Sequence, residues 1–302
     1  MSFQITTAFV QQYTTNVEML LQQKGGKLAS AVMVENFYGK GAKAAEQFGP
    51  VKPVKNMARH SDTPLISTPS DARWVYPTDF DWADLIDNQD RLRMLIDPQS
   101  PYVQNGVETM RRAQDDIILQ AFFADAMTGE NGTTTTSRLG GNEVANTVGG
   151  AGATGLNIAK LRAGKKLLMS YGVDLEADPI YMAITAKEHD NLLNEAQAIS
   201  LDYNTQPVLV DGRIRSFMGV NFIHVEYSDS TAYDAASTMY SSSVTYAPMW
   251  AKSGMKLGIW NDVQTFIDRR PDKRNSWQVY ITATYGATRL QEKKIIRIAN
   301  AD

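Results

Sequence analysis

From Ser100 to Gly129 the chain reads SPYVQNGVETMRRAQDDIILQAFFADAMTG, and apolar residues return every three or four positions: Val103, Val107, Met110, Ile117, Ile118, Ala121 and Ala124. That period draws a single apolar stripe and predicts an amphipathic helix. Ser100 suits an N-cap, and Pro101 falls at the first helical position, where a missing N–H costs nothing. Glu108, Arg111, Arg112, Asp115 and Asp116 take the opposite side, and Gly129 supplies a stop. At 1.5 Å per residue such a helix runs roughly 40 Å, about twice the usual three turns, so something large must pack along it.

The pattern changes along the rest of the chain. Phe3 to Gln23 reads as a helix with Phe3, Phe9, Tyr13 and Val17 on one side, broken by Gly25-Gly26. Ala31 to Phe37 has strand character. Between Gly39 and Asp79 periodicity dissolves among glycines and prolines, with two extended arms, Val51 to Met57 and Arg73 to Tyr76. A structureless stretch of that length is uncommon inside a compact domain. It predicts a protruding, hairpin-like excursion with little core of its own, in need of a partner surface. Phe80 to Ile96 is acidic and aromatic, a solvated face beside a buried one.

Beyond the long helix, Glu130 to Thr154 is rich in threonine and glycine, and Leu156 to Tyr171 predicts a helix. Pro179 to Thr185 is a buried strand and Lys187 to Ala198 a helix. Pro207 to Val210, Val220 to Val225 and Thr238 to Ala247 are strand candidates. Leu257 to Ile267 and Ser276 to Tyr285 alternate as two long strands joined by RRPDKRN, a hairpin, and Ile295 to Ile298 closes the chain. Strands and helices intermix without a regular βαβ repeat, which predicts α+β architecture and not a doubly wound sheet.

Composition narrows the class. The 302 residues are 43% hydrophobic and 21% charged, as in ordinary globular proteins, with no apolar run long enough to span a bilayer and no secretory leader pattern at the N-terminus. Cysteine is absent, which removes disulfides, thiolate metal sites and cysteine nucleophiles together. The net charge of −3 is uneven: residues 1–60 carry seven lysines and arginines against three glutamates, so the remainder is strongly acidic. A scattered basic arm on an acidic body suits contact with another copy better than nucleic-acid recognition.

Candidate chemistry is thin. The aspartates at 79, 81, 84, 87 and 90 lack the glycine and closing glutamate of a calcium loop. GAGATG, Gly150 to Gly155, matches the dinucleotide glycine pattern and precedes a helix, but NEVANTV before it is no hydrophobic strand, so a surface loop is expected. His60, His189 and His224 show no metal-ligand spacing, and His224 reads as a structural histidine within an apolar strand. No catalytic, cofactor-binding or metal-ligating residue is assigned.

The order of elements is a basic arm, an extended excursion, an acidic strand, one very long helix, a mixed region, a long hairpin and a short last strand. It resembles the major capsid protein of tailed bacteriophages, with its Hong Kong 97-type shell fold. Local phrases carry the resemblance: MSFQITTAFVQQY at 1–13, RHSDTP at 59–64, YPTDFDWADLID at 76–87, LIDPQSPY at 95–102, DYNT at 202–205, FMGVNFI at 217–223, then PDK, QVY and GATR near the end. The resemblance implies an N-arm over 1–49 and an E-loop over 50–80. It implies a peripheral domain over 81–155 and 252–290, with a spine helix at 100–128, and an axial domain over 156–251 and 291–302. Expected intersubunit contacts are Phe3, Phe9, Tyr13, Lys52, Lys55, Arg59, His60, Arg73 and Trp74. The implied function is a structural shell protein, not an enzyme and without cofactor. Such a protein assembles as hexamers and pentamers into an icosahedral head around double-stranded DNA, without sequence-specific binding or a membrane. A separate scaffolding protein and a portal would take part, in the host bacterial cytoplasm, and the product would reside in the virion. Two alternatives stand beside it: an encapsulin-like compartment of the same fold and, remotely, a nucleotide-dependent oxidoreductase using 150–155.

Overall fold

The long alternating run near the C-terminus organises the molecule. The computed structural model describes residues 24–55, 62–86, 99–137, 140–195, 209–210, 213–226, 240–241 and 244–301. The first part of the chain forms β1 (Met33–Asn36), β2 (Ala42–Phe48), β3 (Ser70–Val75), β4 (Thr78–Ile86), helix α1 (Gln99–Phe123), β5 (Ala126–Thr128), β6 (Thr134–Thr136) and β7 (Glu143–Val144). Then come α2 (Ile158–Ser170), β8 (Ile180–Ile184), α3 (Ala186–Leu193), β9 (Leu209–Val210), β10 (Arg213–Ile214), β11 (Ser216–Phe217) and β12 (Val220–His224). The chain ends with β13 (Tyr240–Ser241), β14 (Val244–Ala251), β15 (Met255–Arg270), β16 (Ser276–Arg289) and β17 (Ile295–Ala301).

The hairpin β15–β16 is longer than alternation alone predicts and sits at the centre of a four-stranded sheet, β1-β15-β16-β4. Lys273, Arg274 and Asn275 turn it, the last two with positive φ. Helix α1 lies on this sheet. Gly106 lets it approach: a Cβ there would stand 2.4 Å from Ile281 Cδ1 and 2.7 Å from Trp82 Cε3. Met110 and Ile117 then pack with Val279, Ile281, Ala283 and Tyr285. One turn further on, Ile118, Leu119 and Phe122 meet Leu28, Trp250, Leu257 and Ile295. That second cluster joins the hairpin sheet to a seven-stranded mixed sheet, β11-β12-β8-β14-β17-β7 with β13 on β14. Helix α2 covers the latter through Leu161 and Leu168, against Met182, Met249 and Ile298. A third sheet, β2-β3-β5-β6, carries the base of the excursion.

Much of the polar side of α1 is buried, although Arg111 stays exposed. Asp115, Asp116 and Arg112 are buried, and Asp115 accepts the backbone N–H groups of Lys27 (3.0 Å) and Leu28 (2.9 Å). Burial raises the Asp115 carboxyl above its usual range, partly offset by those N–H donors. Gly25 presses so closely on the backbone of Arg111 and Arg112 that no side chain would fit. A charged helix face thus becomes the bed on which the entering chain lies.

Three expected boundaries move. Helix α1 stops at Phe123, not Gly129, because residues 126–128 form β5, in which Met127 and Thr128 pair with β3; Gly129, at φ +86°, turns β5 into β6 instead. The excursion's arms pair at 42–48 and 70–75, whereas 51–55 stay unpaired. The segment expected as one strand over 238–247 forms two, β13 and β14. The N-terminal helix expected over 3–23 lies outside the described residues.

Candidate assembly surfaces

The excursion has a tight neck. Gly49 N–H donates to the Pro69 carbonyl at 2.7 Å, and a Cβ on Gly49 would stand 2.7 Å from the Pro69 ring. Below the neck, Arg73 is buried and pairs with Glu292 at 2.8 Å, while its Nε donates to the Leu290 carbonyl at 3.1 Å, which also accepts from Gln47 Nε2. Trp74 Nε1 donates to the Gly129 carbonyl at 2.8 Å and Tyr76 Oη to that of Gly132 at 3.2 Å. Trp260 Nε1 donates to Gly39 at 2.8 Å. Every one of these bonds ties the root of the excursion to its own subunit.

Above the neck the picture reverses. Residues 50–55 and 62–69 are exposed without exception, and they include Val51, Val54, Leu65 and Ile66, with Phe48 at the neck itself. Leu65 is fully exposed. Burying one such side chain is worth about 1.5–3 kcal/mol, so a loop bearing four of them is a surface that gains from being covered. Lys52 and Lys55 stand among them, also exposed. A groove of about 570 Å³ opens beside the neck, lined by Phe48, Pro50, Pro69, Asp71, Ser137 and Lys293 among others.

Of the nine expected contact residues, the structure therefore leaves Lys52 and Lys55 at the surface. Arg73 is used inside the subunit, and Trp74, half-buried, receives Lys43 Nζ 5.7 Å from its ring centroid. Phe3, Phe9, Tyr13, Arg59 and His60 lie outside the described residues. Sequence reasoning passed over Phe48, Leu65 and Ile66. Their signal was there: apolar residues within a proline-punctuated segment that has no period to bury them.

Other motifs resolve into structure. On β4, Phe80 and Trp82 turn toward α1, while Asp79 accepts from Thr284 Oγ1 (2.7 Å) and Asp81 from Tyr280 Oη (2.6 Å) on the other face. The glycine loop at 150–155 is filled by its own neighbours. Asn157 caps α2 and donates to the Val148 carbonyl at 2.9 Å, Thr154 Oγ1 donates to Asn146 and Val148, and a Cβ at Gly155 would meet Asn191. Only the two-residue β7 precedes it, parallel to β17. His224 contacts Glu226 at 2.9 Å, and His189 Nε2 accepts the Ile214 N–H at 3.2 Å. Burial and the neighbouring His224 and Arg213 hold the His189 pKa down. Among the described residues no three His, Asp or Glu side chains gather as a metal site, and no helix is long and apolar enough to cross a membrane.

A long helix on a four-stranded sheet, a second mixed sheet packed against the helix's C-terminal half and a necked loop rooted on a third sheet form the architecture of a phage shell protein, the Hong Kong 97-type fold. Solved structures share it over nearly the whole chain. The capsid of the cyanophage P-SCSP1u superposes with a TM-score of 0.72 at 12% identity, covering 99% of this chain and 94% of that one. The head of Helicobacter pylori bacteriophage KHP40 gives 0.71 at 10% identity, covering 99% and 97%. The acid-stable capsid of H. pylori bacteriophage KHP30 gives 0.69 at 9%, covering 100% and 99%. No curated protein sequence matches the chain. The family described as phage capsid protein matches residues 5–302, and the chain belongs to that family. It is a structural major capsid protein of the head shell.

Proposed function

We propose that the subunit assembles as hexamers and pentamers into an icosahedral shell around double-stranded DNA, with residues 50–80 laid over the neighbouring copy as an E-loop. In this reading residues 1–49 are an N-arm. Residues 81–155 and 252–290 form the peripheral domain, braced by α1. Residues 156–251 and 291–302 form the axial domain around the seven-stranded sheet. The protein works as a scaffold for containment and not as an enzyme. The host bacterial cytoplasm supplies the site of assembly, a separate scaffolding protein and a portal take part, and the finished subunit resides in the virion.

One observation carries the reading: a loop that is pinned by buried hydrogen bonds at its root and exposes four large aliphatic side chains beyond the neck. A closed assembly buries such a surface in every copy at once. The net charge of −3 fits a container that holds DNA by confinement, since tight phosphate binding would need a basic face and be strongly salt-dependent.

The test replaces residues 50–68 by a short Gly-Ser linker, which keeps the β2–β3 ladder, and co-expresses the variant with a scaffolding protein. The expected result is a folded subunit by circular dichroism that forms no closed shells in negative-stain micrographs. Shells of normal size, or a subunit that no longer folds, would overturn the assignment of this loop.

A further inference from the structure

Asparagine is followed by glycine twice in the sequence, at Asn105-Gly106 and at Asn131-Gly132. The pairing matters because glycine has no side chain to keep its backbone nitrogen from folding back onto the preceding carboxamide. Both asparagines are exposed and both glycines are buried, so exposure does not separate the two places. Their backbones do. Asn105 lies inside α1, where the Gly106 N–H belongs to the helix ladder and the Asn105 carbonyl also accepts from Thr109 Oγ1 at 2.8 Å. Gly106 is packed against Ile281 and Trp82, so this turn of helix cannot unwind without leaving the sheet.

Asn131 stands in the tight turn that joins β5 to β6. The turn is closed by the Gly132 N–H on the Gly129 carbonyl, a long bond at 3.4 Å. That carbonyl already accepts the Trp74 indole N–H at 2.8 Å, so the better donor has the acceptor and the Gly132 nitrogen is weakly held. The Asn131 side chain has no hydrogen-bond partner among the described residues. A free carboxamide is therefore followed by a loosely held nitrogen, in a turn open to water. Such a turn opens far more readily than the middle of a packed helix.

We propose that Asn131 is a site of spontaneous deamidation, and that the change loosens the root of the excursion. The Gly132 nitrogen bonds to the side-chain carbonyl carbon of Asn131, and the bond from that carbon to Nδ2 breaks. Ammonia leaves, carrying the proton of the Gly132 N–H. Solvent water then opens the cyclic imide, its hydroxyl going to a carbonyl carbon and its proton to the nitrogen released. Opening on one side gives aspartate, and on the other isoaspartate, whose backbone runs through the side-chain carbon. Either product adds one negative charge, and isoaspartate also lengthens the main chain. Gly132 has no room to absorb that: a Cβ there would stand 2.5 Å from Tyr76 Oη and 2.7 Å from Trp74 Cγ. Trp74 donates to the Gly129 carbonyl and Tyr76 to that of Gly132, so both anchors of the excursion rest on this turn. Ageing at one exposed residue thus reaches the bonds that hold the loop to its own subunit.

Tryptic mapping separates the two sites, because residues 94–111 contain Asn105 and residues 113–138 contain Asn131, with no other asparagine in either. After storage of the folded protein in warm, mildly alkaline buffer, the 113–138 peptide is expected to gain about 1 Da, at least about tenfold faster than 94–111. In heavy-oxygen water the gain becomes about 3 Da, the mark of imide hydrolysis. In urea both peptides are expected to gain mass at comparable rates. Hydrogen exchange in the aged folded protein is expected to quicken in 70–76 and 126–136 and to hold in 99–123. Asn131→Gln, at an exposed position and with a longer side chain that closes the imide far more slowly, is expected to keep the fresh pattern after the same storage. A 113–138 peptide that keeps its mass in the folded protein, or gains it no faster than 94–111, overturns the site. Aged wild-type protein whose 70–76 segment exchanges as in fresh protein overturns the effect on the root.

Discussion

Residues 50–55 and 62–69 leave every side chain in solvent, including four large aliphatic ones, whereas the seven-stranded sheet encloses a lysine, a glutamate and an asparagine in the same interior as Leu161 and Met182. Each region departs from the ordinary rule of burial, in opposite directions. The sheet region compensates internally: each buried polar group finds partners on a neighbouring element, so no second copy is required for it to fold. Beyond the neck, the described residues of the loop leave their side chains exposed on their own subunit. If the loop is the assembly surface proposed above, substitutions should sort by which side of the neck they fall on.

The largest effect is expected at the seam between the two main sheets. Trp250 is buried against Phe122, with ring centroids 6.0 Å apart, and its Nε1 donates to the Ala31 carbonyl at 2.9 Å. Trp250→Ala removes that packing and strands a buried carbonyl, so a loss of about 3–5 kcal/mol in urea denaturation is expected. A loss below about 1 kcal/mol would mean that the two sheets do not depend on this cluster.

Next is the neck. Glu292→Gln leaves the Arg73 guanidinium buried without its counter-charge, and breaking such a pair costs about 3 kcal/mol. Because the pair lies at the root of the excursion, the loss should be local. Faster hydrogen exchange is expected in 42–48 and 70–75 while β8 and β14 keep their protection. Uniform acceleration across both regions would erase the distinction between neck and core.

The buried carboxyl supplies a smaller, pH-dependent term. With Glu188 near 7 in the folded chain against 4.5 when exposed, the folded state holds more protons than the unfolded state between those values. Stability contributed by the protonated form is complete below about pH 4.5 and is lost as pH rises through 7, by up to about 3 kcal/mol. The measurement is the slope of the urea midpoint against pH from 4.5 to 7, which should be shallower in Glu188→Gln. Equal slopes would show that Glu188 titrates as an exposed acid.

How much of this was legible in the residues depends on how far apart the partners lie in the chain. The stripe of α1 and the alternation of β15 and β16 are local periodicities, and both elements form close to where those patterns lie. The end of α1 is not local: Ala126 to Thr128 continue a helical pattern, yet Met127 and Thr128 pair with a strand some fifty residues earlier. Asp115 looks like a solvated acid until Lys27 and Leu28 arrive from 88 and 87 positions away, and Arg73 like a surface contact until Glu292 arrives from 219. Val51 and Val54 have strand-forming side chains and no strand to join. Lys160 and Asn300 carry no motif at all; only folding brings them together.

The smallest expected effect on folding is the sharpest probe of the comparison. Leu65 lies beyond the neck, fully exposed, with Ile66 beside it. Leu65→Ser removes no contact within the subunit, so its urea midpoint should stay within about 0.5 kcal/mol of wild type. If the loop is covered by a neighbour in the shell, the same substitution forfeits about 1.5–3 kcal/mol of burial in every copy, and the sum over a shell is large. Light scattering during assembly should then show a higher critical concentration for Leu65→Ser than for a control such as Met169→Ser, an exposed apolar residue on α2 within the self-contained region. Matching assembly curves for the two variants would mean that exposure beyond the neck has no role in joining subunits.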